Sequence, residues 1–155
     1  MNRKLSAILV GGLIAGVLDI SYATGFSYLR SGASPVRILQ YVASGLLGPD
    51  SFNGGSTTAA LGLGLHFFIA LSAAAAYVLA AASLPILVRR PVLCGIVYGA
   101  LFFAFMNLVV LPLSRTPPRQ TFPLVVLGTG LLVHMFGIGL PIALAARRAY
   151  APPAA

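Results

Sequence analysis

The sequence predicts an all-α fold, a four-transmembrane-helix bundle with a short amphipathic interfacial helix between helices 1 and 2. Three observations predict it. Hydrophobic residues make up 59% of the 155-residue chain and charged residues only 8%, against roughly a quarter charged in soluble domains. The apolar residues are gathered in blocks and do not form the alternations or stripes of a water-facing fold. Each long block reaches the about 20 residues that a hydrocarbon core of roughly 30 Å requires at about 1.5 Å per residue.

The first block, about 5–28, follows Arg3-Lys4. A basic start, an apolar run and Ser21-Tyr22-Ala23 resemble a signal peptide and its cleavage site. Asp19 would then stand at the end of the apolar region, so the block reads as a retained first helix. A long connection follows. Ser34-Pro35 supplies a capping hydroxyl and a proline at the first helical position. Ile38, Leu39, Val42 and Leu46 recur at helical spacing, with Arg37, Gln40 and Ser44 on the opposite face, and Gly48-Pro49 ends the run. A segment at about 35–47 is too short to span, so it is expected to lie in the membrane interface or dip into it.

Blocks at about 57–82, 92–113 and 122–146 supply the remaining spans. Residues 1–148 form one membrane domain, and the Pro/Ala-rich stretch 149–155 reads as a disordered tail. No internal repeat is visible, so an inverted-repeat transporter within one chain is not supported. Gly12-x-x-x-Gly16 is a packing seam that suits a homo-oligomer. Lys and Arg near the span ends favour both termini in the cytoplasm: Arg3, Lys4, Arg89, Arg90, Arg147 and Arg148 fall on one side. Arg30, Arg37, Arg115 and Arg119 fall on the other, where they form a basic outer mouth suited to anionic lipid or a small polar ligand.

Composition also narrows the function. The net charge of +8 comes from residues scattered at block ends, with no basic stripe or stacking platform, so nucleic acid is not an expected partner. The lone Cys94 forms no internal disulfide and no Cys-x-x-Cys motif is present. The only acidic residues are Asp19 and Asp50, which lie at different depths, so paired-carboxylate catalysis has no footing. Gly62-Leu-Gly-Leu65 follows no strand and precedes no lysine, so it reads as helix packing and not as a phosphate loop. An enzyme is the less favoured reading.

Four residues are polar where lipid should be, one per span: Asp19, His66, Asn107 and His134. A buried Asp costs about 2.5–3.5 kcal/mol on insertion scales, so these groups should face protein, ligand or trapped water. Steps of three, four and seven put each on its helix's small-residue side, Asp19 with Gly12, Ala15 and Gly16, and His66 with Ala59, Gly62, Ala70 and Ala73. A rise of about 1.5 Å per residue places all four in one layer of the outer half.

Three readings of the cluster stay open. It is a ligand-binding or proton-relay site for a small molecule, ion or lipid, related to transport, with Arg37 and Gln40 in a lid above it. Or it is a hydrogen-bonded lock that fixes packing in a structural or accessory subunit of a larger membrane complex. Or His66 and His134, on diagonal helices, ligate haem or a divalent metal in a membrane redox protein.

The run Ser34-Pro-Val-Arg-Ile-Leu-Gln-Tyr-Val-Ala-Ser-Gly-Leu-Leu-Gly48, the Ala-Leu-Gly-Leu-Gly-Leu-His-Phe run ending at Phe67, and Met106-Asn-Leu-Val-Val-Leu-Pro-Leu-Ser114 carry a resemblance. They resemble small uncharacterised bacterial four-helix inner-membrane proteins. That resemblance implies a four-helix fold and a place in a bacterial inner (cytoplasmic) membrane, and it implies no activity.

Overall fold

The computed structural model describes residues 2–118 and 123–150. Arg119 and the tail from 151 onward lie outside the described residues. The elements, in order, are α1 (Arg3–Ser31), α2 (Pro35–Leu47), a 3-10 turn (Gly48–Asn53), α3 (Gly55–Ser83), a single-turn α4 (Ile86–Arg89), α5 (Pro91–Leu113) and α6 (Leu124–Tyr150). Among the described residues α1, α3, α5 and α6 are the helices long and apolar enough to cross a membrane, which is compatible with a multi-pass membrane protein.

Helix ends follow local chemistry more than hydropathy. The Asn2 side chain accepts from Lys4 N at the start of α1, and Gly32, at φ 69°, closes its other end in the left-handed region. Helix α1 therefore runs past the apolar block into Arg30 and Ser31. Ser34 caps α2 by accepting from Arg37 N, as the Ser-Pro signal predicts. Helix α6 continues to Tyr150, two residues beyond the expected end of the membrane domain at 148. The Tyr150 hydroxyl donates to Val78 O at 2.8 Å and Lys4 Nζ sits 5.3 Å from its ring centre, so this tyrosine is part of the bundle.

The bundle is a square with one open side. Helix α1 packs against α3 and α6, and α6 packs against α5, but α3 and α5 scarcely touch. Small residues bring the packed pairs together. A Cβ on Gly12 would lie 2.8 Å from Leu71 Cδ2, and one on Gly16 would lie 2.7 Å from the Phe67 ring. The Gly12-x-x-x-Gly16 seam, expected to suit a second copy, is thus filled by α3 of the same chain. Arg3 Nη2 donates to Arg148 O at 2.8 Å, so the start of α1 and the last turn of α6 meet at one end of the bundle.

Helix α2 sits at the opposite end, with Ile38 and Val42 half-buried against the interior of the bundle. Gln40, Ala43 and Ser44 are its buried residues, while Val36, Leu46 and Leu47 are exposed. Gln40 Nε2 donates to Gly55 O at 3.1 Å, and the backbone near Leu39 lies so close to Gly62 that a Cβ there would collide with the Leu39 carbonyl. Gln40 faces protein because α3 offers it hydrogen-bond partners, and Gly62 gives the α2 backbone a seat. Arg115 N, after α5, donates to Gly45 O at 3.0 Å and holds the far end of α2.

Two spans change register midway. Residues Met106–Val110 of α5 and His134–Gly139 of α6 are π-helical, with Leu111 N donating to Met106 O and Leu140 N to Met135 O, five residues back. Such bulges are rare and concentrate at functional sites.

Candidate binding site

The four helices and α2 line a half-open chamber of about 550 Å³. Its wall is mainly apolar, with Phe26, Tyr41, Phe102, Phe103 and Ile138 among its residues. Asp19, His66 and His134 form a polar pole within it. The Asp19 carboxylate stands between the two rings: His66 Nδ1 is 4.0 Å from Oδ2 and His134 Nδ1 is 3.9 Å from Oδ1. These side chains are 22%, 11% and 16% exposed respectively, an opening that faces the chamber. One residue from each of α1, α3 and α6 therefore meets at one point, as the small-residue faces predict.

Backbone hydrogen bonds define the state of the two rings. His66 Nε2 lies 2.8 Å from Gly16 O and His134 Nδ1 lies 2.9 Å from Gly130 O. A carbonyl only accepts, so each of those nitrogens carries the proton. In their neutral forms the rings then keep His66 Nδ1 and His134 Nε2 as acceptors. The carboxylate adds further acceptors, and neither ring is close enough to hydrogen-bond it directly. The pole is rich in lone pairs and poor in protons to donate.

Asn107 also lines the chamber, but its Nδ2 donates to Phe103 O of its own helix at 2.8 Å. It satisfies a carbonyl beside the α5 bulge and is not joined to the Asp–His group. Of the expected outer-mouth arginines, Arg37 alone among those described lines the chamber, its guanidinium stacked 3.9 Å from the centre of the Phe52 ring. Arg30 and Arg115 are exposed and do not line the chamber, and Gln40 faces α3 instead of the chamber.

Some site residues were not singled out from sequence. Tyr22, one turn beyond Asp19, donates its hydroxyl to Thr129 Oγ1, which donates to Val125 O, so this pair joins α1 to α6 above the pole. The step of three from Asp19 was the available signal. Phe102 and Phe103 flank the His134 ring at 6.1 and 5.1 Å between centroids and form part of the chamber wall.

The cluster does not fit a bis-histidine haem. Axial imidazoles must face each other across a macrocycle, yet the Asp19 carboxylate stands between these rings and a backbone carbonyl holds one nitrogen of each. Among the described residues no group of three His, Cys, Asp or Glu side chains is placed to hold a metal ion.

No protein-family model, curated protein or solved structure matches this chain.

Proposed function

We propose that this chain is an integral membrane protein that binds a small molecule carrying a hydrogen-bond-donating group, a hydroxyl or an amine. One observation carries the reading: an acceptor-rich Asp19/His66/His134 pole inside an apolar-walled chamber of about 550 Å³. A donor placed between Asp19 and His66 Nδ1 would satisfy both, while the apolar wall takes the body of the ligand. The basic residues at the end where the start of α1 meets the last turn of α6, Arg3, Lys4, Arg89, Arg90, Arg147 and Arg148, support a cytoplasmic setting for that end in a bacterial inner membrane. Helix α2, at the other end, then roofs the chamber near the outer interface.

Carriage across the membrane would require the chamber to open toward the Arg3–Arg148 contact. Close packing resists this, since a Cβ on Gly11 would lie 3.0 Å from Ala145 Cβ and one on Gly95 2.9 Å from Gly139 O. Binding is therefore the reading we favour over transport. A packing lock is the second reading, because the His66–Gly16 bond crosses from α3 to α1.

Thermal unfolding of the detergent-purified chain tests the proposal. Hexylamine raises the unfolding temperature of the native protein by mass action. It leaves Asp19→Asn unmoved, and hexyl methyl ether, which donates nothing, moves neither. Equal shifts in the native and Asp19→Asn proteins would sink the reading.

A further inference from the structure

On the open side of the bundle, a groove of about 470 Å³ runs between α3 and α5. Its inner end is stapled by Tyr98, whose hydroxyl donates to Ala73 O at 2.8 Å and whose ring meets Tyr77 edge-on at 5.0 Å between centroids. Beyond that staple the two helices part. Phe68, Leu101 and Phe105 form the exposed lips, at 68%, 64% and 51% exposure. Four side chains, Ile69, Phe102, Met106 and Val110, line both the groove and the chamber.

Those side chains are thus a partition between the chamber and the lipid-facing side of the bundle. Along it the backbones of α3 and α5 scarcely touch. Two of its members, Met106 and Val110, belong to the π-helical stretch of α5, where the hydrogen bonds shift to partners five residues back. Methionine is the most adaptable apolar side chain. The partition also touches the pole: Ile69 is one turn from His66, and Phe102 lies beside the His134 ring.

From this geometry we propose that the α3–α5 side is a lateral doorway by which a membrane-dissolved amphiphile enters the chamber from the bilayer. Its donor head sits at Asp19, His66 and His134, and its single apolar chain passes the Ile69/Phe102/Met106/Val110 partition into the groove. The proposal rests on the binding reading above and names the ligand class for that site. The occupant follows from the continuity of the two spaces. A polar pole and a chain-wide apolar groove share one wall, at a depth where lipid tails are the surrounding solvent. Helix α2 favours this route, because its clamps at Gly55, Gly62 and Gly45 roof the chamber at the other end.

The test uses the full chain in phosphatidylcholine vesicles with a trace of long-chain alkylamine bearing a mid-chain diazirine. After irradiation, adducts are mapped by mass spectrometry. The expected result is labelling of the partition at Phe102 and Met106 and of the chamber wall at Phe103, in addition to the exposed lips. Ser72→Phe fills the groove without touching the chamber, and it should abolish the Phe103 adduct while exposed faces of α1 stay labelled. Ala76→Phe repeats the block should Ser72→Phe fold poorly. Labelling confined to exposed faces in the native protein, or Phe103 labelling that survives a well-folded blocked groove, overturns the doorway. The same chain carried as a methyl ether separates the two readings. Equal Phe103 labelling by the ether upholds the doorway but overturns the donor-binding pole. Loss of all Phe103 labelling, with the hexylamine shift intact, overturns the doorway alone.

Discussion

Gly99 of α5 rests directly on the His134 carbonyl of α6, so closely that a Cβ on Gly99 would collide with that oxygen. The contact sits where α6 enters its π-helical stretch. It therefore locates both the bulge and the ring that approaches Asp19. Gly99→Ala forces the two backbones apart, and overpacking of this kind costs about 1–3 kcal/mol. The expected outcome is a lower unfolding temperature together with loss of the hexylamine shift. A variant as stable as the native protein would mean that the contact is not the seat of His134.

The roof gives a second expectation. Gly62 seats α2 against α3 through the Leu39 carbonyl, and Gln40 pins the same face to Gly55 O. Gly62→Ala should lift α2 and leave the spans assembled. Hydrogen exchange reads this directly: amides of residues 35–47 should exchange faster while those of α6 do not change. Uniform loss of protection through the whole chain would contradict a locally seated roof.

Much of this arrangement was legible in the sequence. Spans are legible because length and apolarity alone decide whether a segment suits lipid. The pole was legible because Asp19, His66 and His134 each share a face with glycine and alanine, and only such faces let helices approach. Three features were not. The π-helical stretches at Asn107 and His134 carry no residue signature, since they depend on how α5 meets α6. The seating of α2 was another, because hydrophobic periodicity marks an apolar stripe but does not say whether lipid or protein receives it. Gln40 turns inward to Gly55 O, and Ser44 is buried with its hydroxyl donated to Tyr41 O of its own helix. The open α3–α5 side is a property of the assembled bundle and has no local cause in either helix.

The Tyr22–Thr129 bond offers a third expectation. It joins α1 to α6 one turn above the pole, and hydrogen bonds between membrane helices average about 0.6 kcal/mol. Tyr22→Phe should therefore lower stability only slightly. Because Tyr22 also lines the chamber, the change should weaken amine binding by more than that small stability loss would suggest. Titration calorimetry with hexylamine, set beside thermal unfolding, separates the two effects. Unaltered affinity would place Tyr22 outside the site.

Asp19 and His66 separate binding from locking. Neither imidazole hydrogen-bonds the carboxylate, the separations being 4.0 and 3.9 Å, so Asp19→Asn removes no direct bond and replaces one side chain with another of nearly equal size. Its stability cost should stay below the about 0.6 kcal/mol of an average interhelical bond in a membrane, while amine binding is lost with the carboxylate. His66→Ala differs on both counts. It deletes the cross-helix bond to Gly16 O at 2.8 Å and empties the space beside Phe67, so it should unfold at a distinctly lower temperature. If the cluster were only a lock, the same difference in stability would appear, but hexylamine would bind the native protein no better than it binds Asp19→Asn. A stable Asp19→Asn that no longer binds amine, beside a destabilised His66→Ala, is the pattern that only a binding pole produces.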